Sequence, residues 1–211
     1  MKLTDINQIK SRLETLLNRG FTDKQVEAFQ LFISEITKHS HKFNLISKGD
    51  LSNILERHIA DSLVLERYLR NKSKIVDIGS GAGFPGVPLA IILENTSFNL
   101  VEPREKRAFF LKTVKRALKL ENISIYERRI EELPELTSQA DALILRGVGG
   151  FGRIFRGIKA NLKRDLEIFI LTSQDRETEP IDGLALKKIQ YNLNDSPWGG
   201  SILHYTVSRG T

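Results

Sequence analysis

A run of alternating glycines follows a short apolar stretch in the first half of the chain. The residues Lys74–Ile78 are rich in β-branched side chains and predict a strand, which passes directly into Gly79-Ser80-Gly81-Ala82-Gly83. The apolar segment Pro85–Leu93 then predicts a helix. A strand, a glycine loop and a helix in this order let an anionic or nucleoside-bearing cofactor approach the backbone, because glycine has no Cβ and adopts positive φ.

Two registers of this loop imply different cofactors. Gly81, Gly83 and Gly86 have the G-x-G-x-x-G spacing of a dinucleotide-binding loop, which would indicate an NAD-type oxidoreductase. Gly79, Gly81 and Gly83 have the spacing G-x-G-x-G directly after the strand. Since the first glycine makes the turn that leaves the strand, position favours the register that begins at Gly79. Pro85 also lies where a pyrophosphate needs free N–H groups.

Two acidic residues accompany the loop. Glu102 ends the next predicted strand, 23 residues after Gly79 (102 − 79), where a carboxylate accepts hydrogen bonds from ribose hydroxyls. A solvated strand end is the alternative. Asp77 lies inside an apolar strand, where a carboxylate is costly to bury without a partner. Its charge suits the sulfonium and amino group of S-adenosylmethionine and would repel a pyrophosphate, but it is equally suited to holding the loop backbone.

The surrounding pattern indicates how these residues are positioned. Residues 1–72 predict a helical extension, with apolar residues at helical spacing from Leu3 to Leu17, in a second helix after Thr22, and from Leu55 to Leu69. Residues 73–211 predict alternating strands and helices, and hence a parallel sheet covered on both faces. The predicted strands are Lys74–Ile78, Phe98–Glu102, Ile123–Glu127, Ala140–Leu145 and Glu167–Thr172, and the predicted helices are Pro85–Glu94, Arg104–Leu120 and Gly152–Leu162. Leu186–Leu193 and Ile202–Ser208 have no helix between them and predict an antiparallel hairpin.

Composition limits the class of protein. The 211 residues contain 40% hydrophobic and 27% charged side chains, and no cysteine, so disulfides, thiolate metal sites and cysteine nucleophiles are excluded. No apolar run approaches the roughly 20 residues of a membrane helix, and Met1–Asp5 lacks the pattern of a signal peptide. We therefore expect a cytoplasmic protein. The net charge of +6 suits a polyanionic partner such as nucleic acid, although many proteins are mildly basic.

The loop and three further segments resemble one family. Asp77–Ile91, with its Phe84-Pro85-Gly86-Val87-Pro88 continuation, resembles the cofactor loop of the bacterial glucose-inhibited division protein B family. The segments that agree in order are Asn44–Ser47, Arg57–Leu63, and Lys106-Arg107 followed by Phe110-Leu111. The resemblance implies an S-adenosylmethionine-dependent methyltransferase that acts on guanine N7 in 16S ribosomal RNA. It also implies a doubly wound, Rossmann-like α/β sheet of seven strands, with a C-terminal antiparallel hairpin and the N-terminal helical extension.

The resemblance also implies which residues hold S-adenosylmethionine. To Asp77, Gly79, Ser80, Gly81, Gly83 and Glu102 it adds Phe84, Ile130, Glu131 and Arg146 as cofactor contacts. Ile130 would cover the adenine, Glu131 or its neighbouring backbone would accept from the adenine amino group, and Phe84 would shield the methionine arm. Core packing for Phe84 and a charged turn around Ile130 are the alternatives. The chain departs from the family at Leu145-Arg146-Gly147-Val148-Gly149-Gly150, where the extra glycines predict a more flexible loop.

On the substrate side, the resemblance indicates Arg57, His58 and Arg146. From sequence alone, Arg57 and Asp61 are four residues apart, which predicts a surface ion pair, and His58 suits packing. Two basic helical segments, around Arg104–Lys119 and Arg153–Arg164, suit RNA phosphates or are simply solvated. Guanine N7 carries no proton, so we expect no catalytic base. We also expect no metal and a monomer. A non-catalytic RNA-binding assembly factor is the alternative to an enzyme.

Overall fold

The computed structural model describes residues 5–147, 149–176 and 180–207. Some residues used in the sequence analysis lie outside these ranges: residues 1–4 of the segment Met1–Asp5, with Leu3 of the predicted first helix, Val148 of the glycine-rich loop and Ser208 of the last predicted strand.

Two amphipathic helices begin the described chain, α1 (Ile6–Leu17) and α2 (Asp23–Phe43). Helix α2 starts with a capping box, because Thr22 accepts a hydrogen bond from the N–H of Gln25 and the Gln25 side chain accepts one from the N–H of Thr22. Helix α1 ends at Asn18, which has left-handed backbone angles. The predicted end of the first helix and start of the second are therefore confirmed.

The following segment differs from the single helix predicted over residues 55–69. It forms, in order, α3 (Lys48–Leu51), a π-helical turn (Leu55–Ala60), α4 (Asp61–Leu63) and α5 (Glu66–Leu69). In the π-helical turn the N–H of Asp61 reaches the carbonyl of Glu56, five residues earlier. A wide turn of this kind rotates the later side chains away from their α-helical positions and is frequent at functional sites.

Parallel strands alternate with helices from residue 74 onward. The strands are β1 (Lys74–Ile78), β2 (Ser97–Val101), β3 (Ile123–Tyr126), β4 (Ala142–Arg146) and β5 (Glu167–Thr172). The helices are α6 (Gly86–Ile92), α7 (Glu105–Leu118), α8 (Pro134–Gln139) and α9 (Phe151–Ile158), with 3₁₀ turns at Ile130–Glu132 and Lys159–Asn161. All five predicted strands and all three predicted helices are confirmed, with small shifts of their ends.

The last two strands form the predicted antiparallel hairpin, β6 (Leu184–Asn192) and β7 (Gly199–Val207). The hairpin starts earlier and its turn is shorter than predicted, because Gly199 and Gly200 pair with Asn192 and Tyr191 and so extend β7. The described residues form one seven-stranded sheet in the order β3-β2-β1-β4-β5-β7-β6. The predicted seven-strand doubly wound class is therefore confirmed. The strand order reverses between β1 and β4, which opens a crevice at their carboxyl ends.

Each face of the sheet is covered by its own apolar cluster. On one face, Ile9, Phe29 and Phe32 of the N-terminal helices pack in the same cluster as Phe98 and Phe169 of the strands. The other face packs against α8 and α9. The N-terminal helices thus complete the core of the sheet, and the division at residue 72 stays a prediction.

Candidate functional site

The glycine loop sits over the carboxyl end of β2. Gly79, Gly81 and Gly83 have φ angles of 73°, 56° and 94°, a region that other residues rarely adopt. The N–H groups of Gly79 and Ser80 both donate to the carbonyl of Val101, at 2.8 and 3.2 Å. Gly79 follows the last residue of β1 and makes the turn, as the favoured register requires. The loop is therefore a fixed turn whose conformation depends on its glycines.

Asp77 is completely buried beneath this loop. Its Oδ2 accepts from the N–H of Gly86 at 3.1 Å, while Ser80 Oγ donates to its backbone carbonyl at 3.0 Å. A Cβ on Gly86 would lie 2.5 Å from that Oδ2, so the close approach requires glycine. Burial raises the pKa of Asp77 to about 7. The loop-holding interpretation of Asp77 accounts for this geometry, and direct contact with a cofactor stays a prediction.

Glu102 connects the loop to the end of the next strand. It is 3% exposed, and its Oε2 accepts from the N–H of Gly81 at 3.0 Å while Oε1 accepts from the N–H of Arg104 at 3.0 Å. The solvated alternative for Glu102 is therefore wrong. A carboxylate has about four acceptor positions, so two are left for further donors. Glu102 can thus hold the loop and accept from a ligand hydroxyl at the same time.

An aromatic and basic cluster lies beside the loop. The ring of Phe84 is 4.8 Å from that of His58 and 5.3 Å from that of Phe32, and the Arg146 guanidinium is 5.9 Å from its centre. Phe84 is 6% exposed and belongs to the first apolar cluster. Phe84 therefore packs in the core, which was the alternative to a cofactor contact. Its ring also lies against His58 and Arg146, two residues of the predicted substrate side.

Arg146 ends β4 and is surrounded by polar partners. Its Nη1 donates to His58 Nδ1 at 2.8 Å, and its Nη2 donates to the Arg57 carbonyl and lies 3.1 Å from Asp61 Oδ2. The other oxygen of Asp61 accepts from the hydroxyl of Tyr191 on β6. The three residues predicted for the substrate side are therefore brought together, although Arg57 and His58 are far from Arg146 in sequence.

His58 is neutral in this setting. Burial, followed by the positive charge of Arg146, lowers the pKa of His58 to about 3. Because a guanidinium only donates, Nδ1 is the acceptor and the ring proton is on Nε2. Nε2 is buried and has no hydrogen-bond partner within the part of the chain that the structure describes. His58 thus presents an unused donor next to Phe84.

The predicted Arg57–Asp61 pair is wrong. Arg57 instead forms an ion pair with Asp50, and its guanidinium lies 4.7 Å above the ring of Trp198. The π-helical turn between Arg57 and Asp61 removes the α-helical spacing on which that prediction depended. Asp61 turns to Arg146 and away from solvent, and burial raises its pKa.

Sequence reasoning did not find Asp50, Tyr191 and Trp198. They lie on α3, β6 and the hairpin turn. Tyr191 and Trp198 are distant in sequence from Asp61 and Arg57, which they contact, whereas Asp50 is seven residues before Arg57. No local spacing connects Tyr191 to Asp61 or Trp198 to Arg57. The spacing of Asp50 and Arg57 gives no clear signal either, because α3 ends at Leu51, before the π-helical turn begins at Leu55.

Ile130 and Glu131 lie in the 3₁₀ turn that follows β3. Ile130 is 3% exposed and packs in the second apolar cluster, whereas Glu131 is exposed and lies against α9 at Gly157. The turn follows the carboxyl end of β3, the same edge of the sheet as the glycine loop. Their adenine contacts stay predictions.

Two absences bear on the chemistry. Within residues 5–147, 149–176 and 180–207, no group of three or more histidine or acidic side chains is arranged to hold a metal ion. Over the same ranges, no helix is both long and apolar enough to cross a membrane.

Solved structures with this fold include two named as methyltransferases and one bound to S-adenosylmethionine. Precorrin-6y C5,15-methyltransferase from Geobacter metallireducens aligns over 78% of this chain and 91% of its own, with a TM-score of 0.51 and 15% identity. A mutant of MtNAS in complex with S-adenosylmethionine aligns over 96% of this chain and 78% of its own, with a TM-score of 0.56 and 18% identity. At these identities the likeness shows the fold alone.

Sequence comparison is more specific. A curated relative from Pectobacterium carotovorum subsp. carotovorum, ribosomal RNA small subunit methyltransferase G, is 36% identical over 129 residues. That alignment covers 60% of this chain and 62% of the relative. The family model for rRNA small subunit methyltransferase G matches residues 25–190, which include the glycine loop, Glu102, Arg146 and the Arg57–Asp61 turn. The chain therefore belongs to the GidB family of rRNA small subunit methyltransferase G.

Proposed function

We propose that this protein transfers a methyl group from S-adenosylmethionine to N7 of a guanine in 16S ribosomal RNA, in the cytoplasm and as a monomer. The observation that carries the proposal is the loop of three left-handed glycines at the crevice between β1 and β4, with the buried Glu102 beside it. Ligands of doubly wound sheets bind at this position. Membership of the methyltransferase G family supports the same activity.

The residues present fit S-adenosylmethionine. Glu102 keeps two acceptor positions after binding Gly81 and Arg104, which suits the two hydroxyls of a ribose. Phe84 offers an apolar ring next to the loop, which suits the methionine arm. When bound, S-adenosylmethionine supplies an electrophilic methyl group on a sulfonium. The chain's own contribution is to hold the two reactants in line and to exclude water.

On the substrate side, Arg146 and His58 are the groups that position the guanine. The contacts of Arg146 to His58, Arg57 and Asp61 fix its plane and leave N–H groups unused, which suits guanine O6. The free Nε2–H of His58 is a second donor in the same place. Because N7 attacks through a lone pair, no proton has to be removed. A His58 that is neutral across the physiological range is consistent with a positioning role.

The experiment is methylation of unmodified 16S ribosomal RNA and of small subunits by the purified protein with S-adenosylmethionine. Cleavage with borohydride and aniline detects N7-methylguanine, and we expect one new cleavage site. Calorimetric titration compares S-adenosylmethionine with NADH. Binding of NADH alone would favour the oxidoreductase, and RNA binding without S-adenosylmethionine binding would favour the assembly factor. Methylation of only proteins or small molecules would contradict the proposal.

A further inference from the structure

One face of α7 carries an exposed aromatic ring among exposed cations. Phe109 is 56% exposed, which is unusual for a phenylalanine. Four exposed basic side chains share this face, Lys106, Lys112 and Arg116 in the helix and Lys119 at its C-cap, and one exposed acid, Glu105, lies in the first turn. They follow at intervals of three or four residues, so with Phe109 they form one stripe about 20 Å long. We call these five side chains the α7 surface.

The positive charge of the α7 surface is poorly neutralised. Lys112 forms an ion pair with Glu127 at 2.8 Å. Lys106, Arg116 and Lys119 form no ion pair with any residue in the described ranges. Arg116 and Lys119, three residues apart and without an acidic partner, repel each other. Such a stripe suits a partner that brings regularly spaced negative charges.

The α7 surface continues to the glycine loop. Nη1 of Arg107 lies 3.5 Å from where a Cβ on Gly81 would be, and Nη2 donates to the carbonyl of Asn44 at 3.3 Å. Next to Asn44, the ring of Phe43 is 6.1 Å from that of Phe109, and Lys42 lies 5.5 Å above the Phe43 ring. A chain bound along α7 can therefore reach the cofactor side of the sheet without leaving a basic and aromatic surface.

We propose that the α7 surface binds a single-stranded segment of the RNA substrate, with a base stacked on Phe109 and phosphates next to the cations. This rests on the proposed function. Base stacking on an exposed aromatic ring between cations is the usual way of holding single strands. A duplex keeps its bases out of reach of such a ring. A protein partner fits less well, since lysine is depleted at protein interfaces.

The test measures the affinity for an unmethylated 16S ribosomal RNA transcript over a series of salt concentrations. We expect Phe109→Ala to weaken binding about 5- to 140-fold, the effect of removing the platform for one stacked base. Phe109→Tyr keeps an aromatic face and should bind like the unchanged protein, whereas Phe109→Leu should behave like Phe109→Ala. The double variant Lys106→Ala/Arg116→Ala should lower the salt slope by about 1.4, because each single-strand phosphate that a cation neutralises contributes about 0.7 to that slope.

The control is Lys187→Ala, an exposed cation on β6, at the opposite edge of the sheet from β3. It should change neither affinity nor slope, and S-adenosylmethionine affinity should be the same in all variants. If Phe109→Ala and the double variant bound RNA as tightly as Lys187→Ala, the proposal would be overturned. It would also be overturned if Phe109→Leu bound RNA like the unchanged protein, because that result would indicate an apolar contact with a protein. An unchanged protein that methylates no RNA contradicts the proposed function instead, so the two failures are distinguishable.

Discussion

The guanidinium of Arg146 is held on three sides by His58, Asp61 and the carbonyl of Arg57. Because these partners already restrict the Arg146 side chain, less side-chain conformational entropy is lost when substrate binds. Orientation fixed in advance lowers the barrier to an in-line displacement. On the proposed function, we therefore expect the loss of Arg146 to affect the chemical step.

We expect Arg146→Ala to reduce the single-turnover methylation rate about 10- to 150-fold at saturating S-adenosylmethionine. This range corresponds to the loss of a charge-assisted hydrogen bond worth about 1.5–3 kcal/mol. Arg146→Lys keeps the charge but not the planar set of donors, and should recover only part of the rate. An unchanged rate with weaker S-adenosylmethionine binding would assign Arg146 to the cofactor.

Asp77 makes stability depend on pH in a direction that its burial fixes. Its pKa rises from 3.8 to about 7 on folding, so between these values the folded protein holds a proton that the unfolded chain has lost. The contribution of Asp77 to stability therefore falls as pH rises from about 4 to 7 and does not change further above that. Asp77→Asn should remove this dependence. Urea unfolding should show that the free energy of unfolding of Asp77→Asn, relative to that of the unchanged protein, is higher at pH 8 than at pH 5. The difference is at most about 4 kcal/mol over the full interval between the two pKa values. Parallel pH curves would contradict the buried, protonated carboxyl.

At the scale of elements, β1 and α6 meet where Asp77 and Gly86 touch. A Cβ on Gly86 would lie 2.5 Å from Asp77 Oδ2 and 2.5 Å from Leu100 Cδ2. Gly86→Ala should therefore cost about 1–3 kcal/mol in the free energy of unfolding and weaken S-adenosylmethionine binding. Both are measured by urea unfolding and calorimetry.

Gly152→Ala on α9 is the matched control. The nearest atom to its added Cβ is 3.9 Å away, and alanine favours a helix by up to about 1 kcal/mol. It should leave S-adenosylmethionine affinity unchanged and stability equal or higher. Similar losses in both variants would show that the contact with Asp77 is not the cause.

The elements that sequence predicted well are those with strong periodicity. The five parallel strands, the hairpin and α7 all carry runs long enough to show their period. Helix α8 was not predicted, because its six residues contain one strongly apolar side chain, Leu136. The π-helical turn within the predicted 55–69 helix was also missed. Apolar spacing does not distinguish hydrogen bonds to the carbonyl five residues earlier from α-helical bonds to the carbonyl four residues earlier.

The candidate site also has a part that local sequence predicts and a part that it does not. The glycine loop and Glu102 follow from local sequence, because strand ends and turns determine them. The ring of contacts around Arg146 does not, because Tyr191 and Asp61 are 130 residues apart. Only the folded sheet brings them together.

At the scale of the whole molecule, the hairpin closes on the N-terminal helices. The N–H of Asn194 donates to the carbonyl of Leu16 at 3.1 Å, Arg12 pairs with Asp195 at 2.9 Å, and Tyr191 donates to Asp61. These contacts join the hairpin to the N-terminal helices and, through Asp61, to Arg146. The stability of the molecule and the geometry of Arg146 are therefore linked.

We expect Tyr191→Phe to lower the free energy of unfolding by about 1.5–3 kcal/mol, because the buried Asp61 loses the donor that helps to keep it ionised. Urea unfolding measures this. The control is Tyr126→Phe on β3, whose hydroxyl has no hydrogen-bond partner among the described residues and whose loss should cost less than about 0.5 kcal/mol. Equal effects in both variants would mean that the Asp61 contact contributes nothing.

Because Tyr191 lies late in the chain, its contact with Asp61 forms after the other residues of the site have been synthesised. A ribosome that has made residues up to β5 has already delivered the glycine loop, Glu102, Asp61 and Arg146, but not the phenol that completes the Asp61 contact. A nascent or prematurely stopped chain therefore carries the residues of the glycine loop before Tyr191 can donate to Asp61. The contacts around Asp61 and Arg146 are therefore complete only when translation has passed β6.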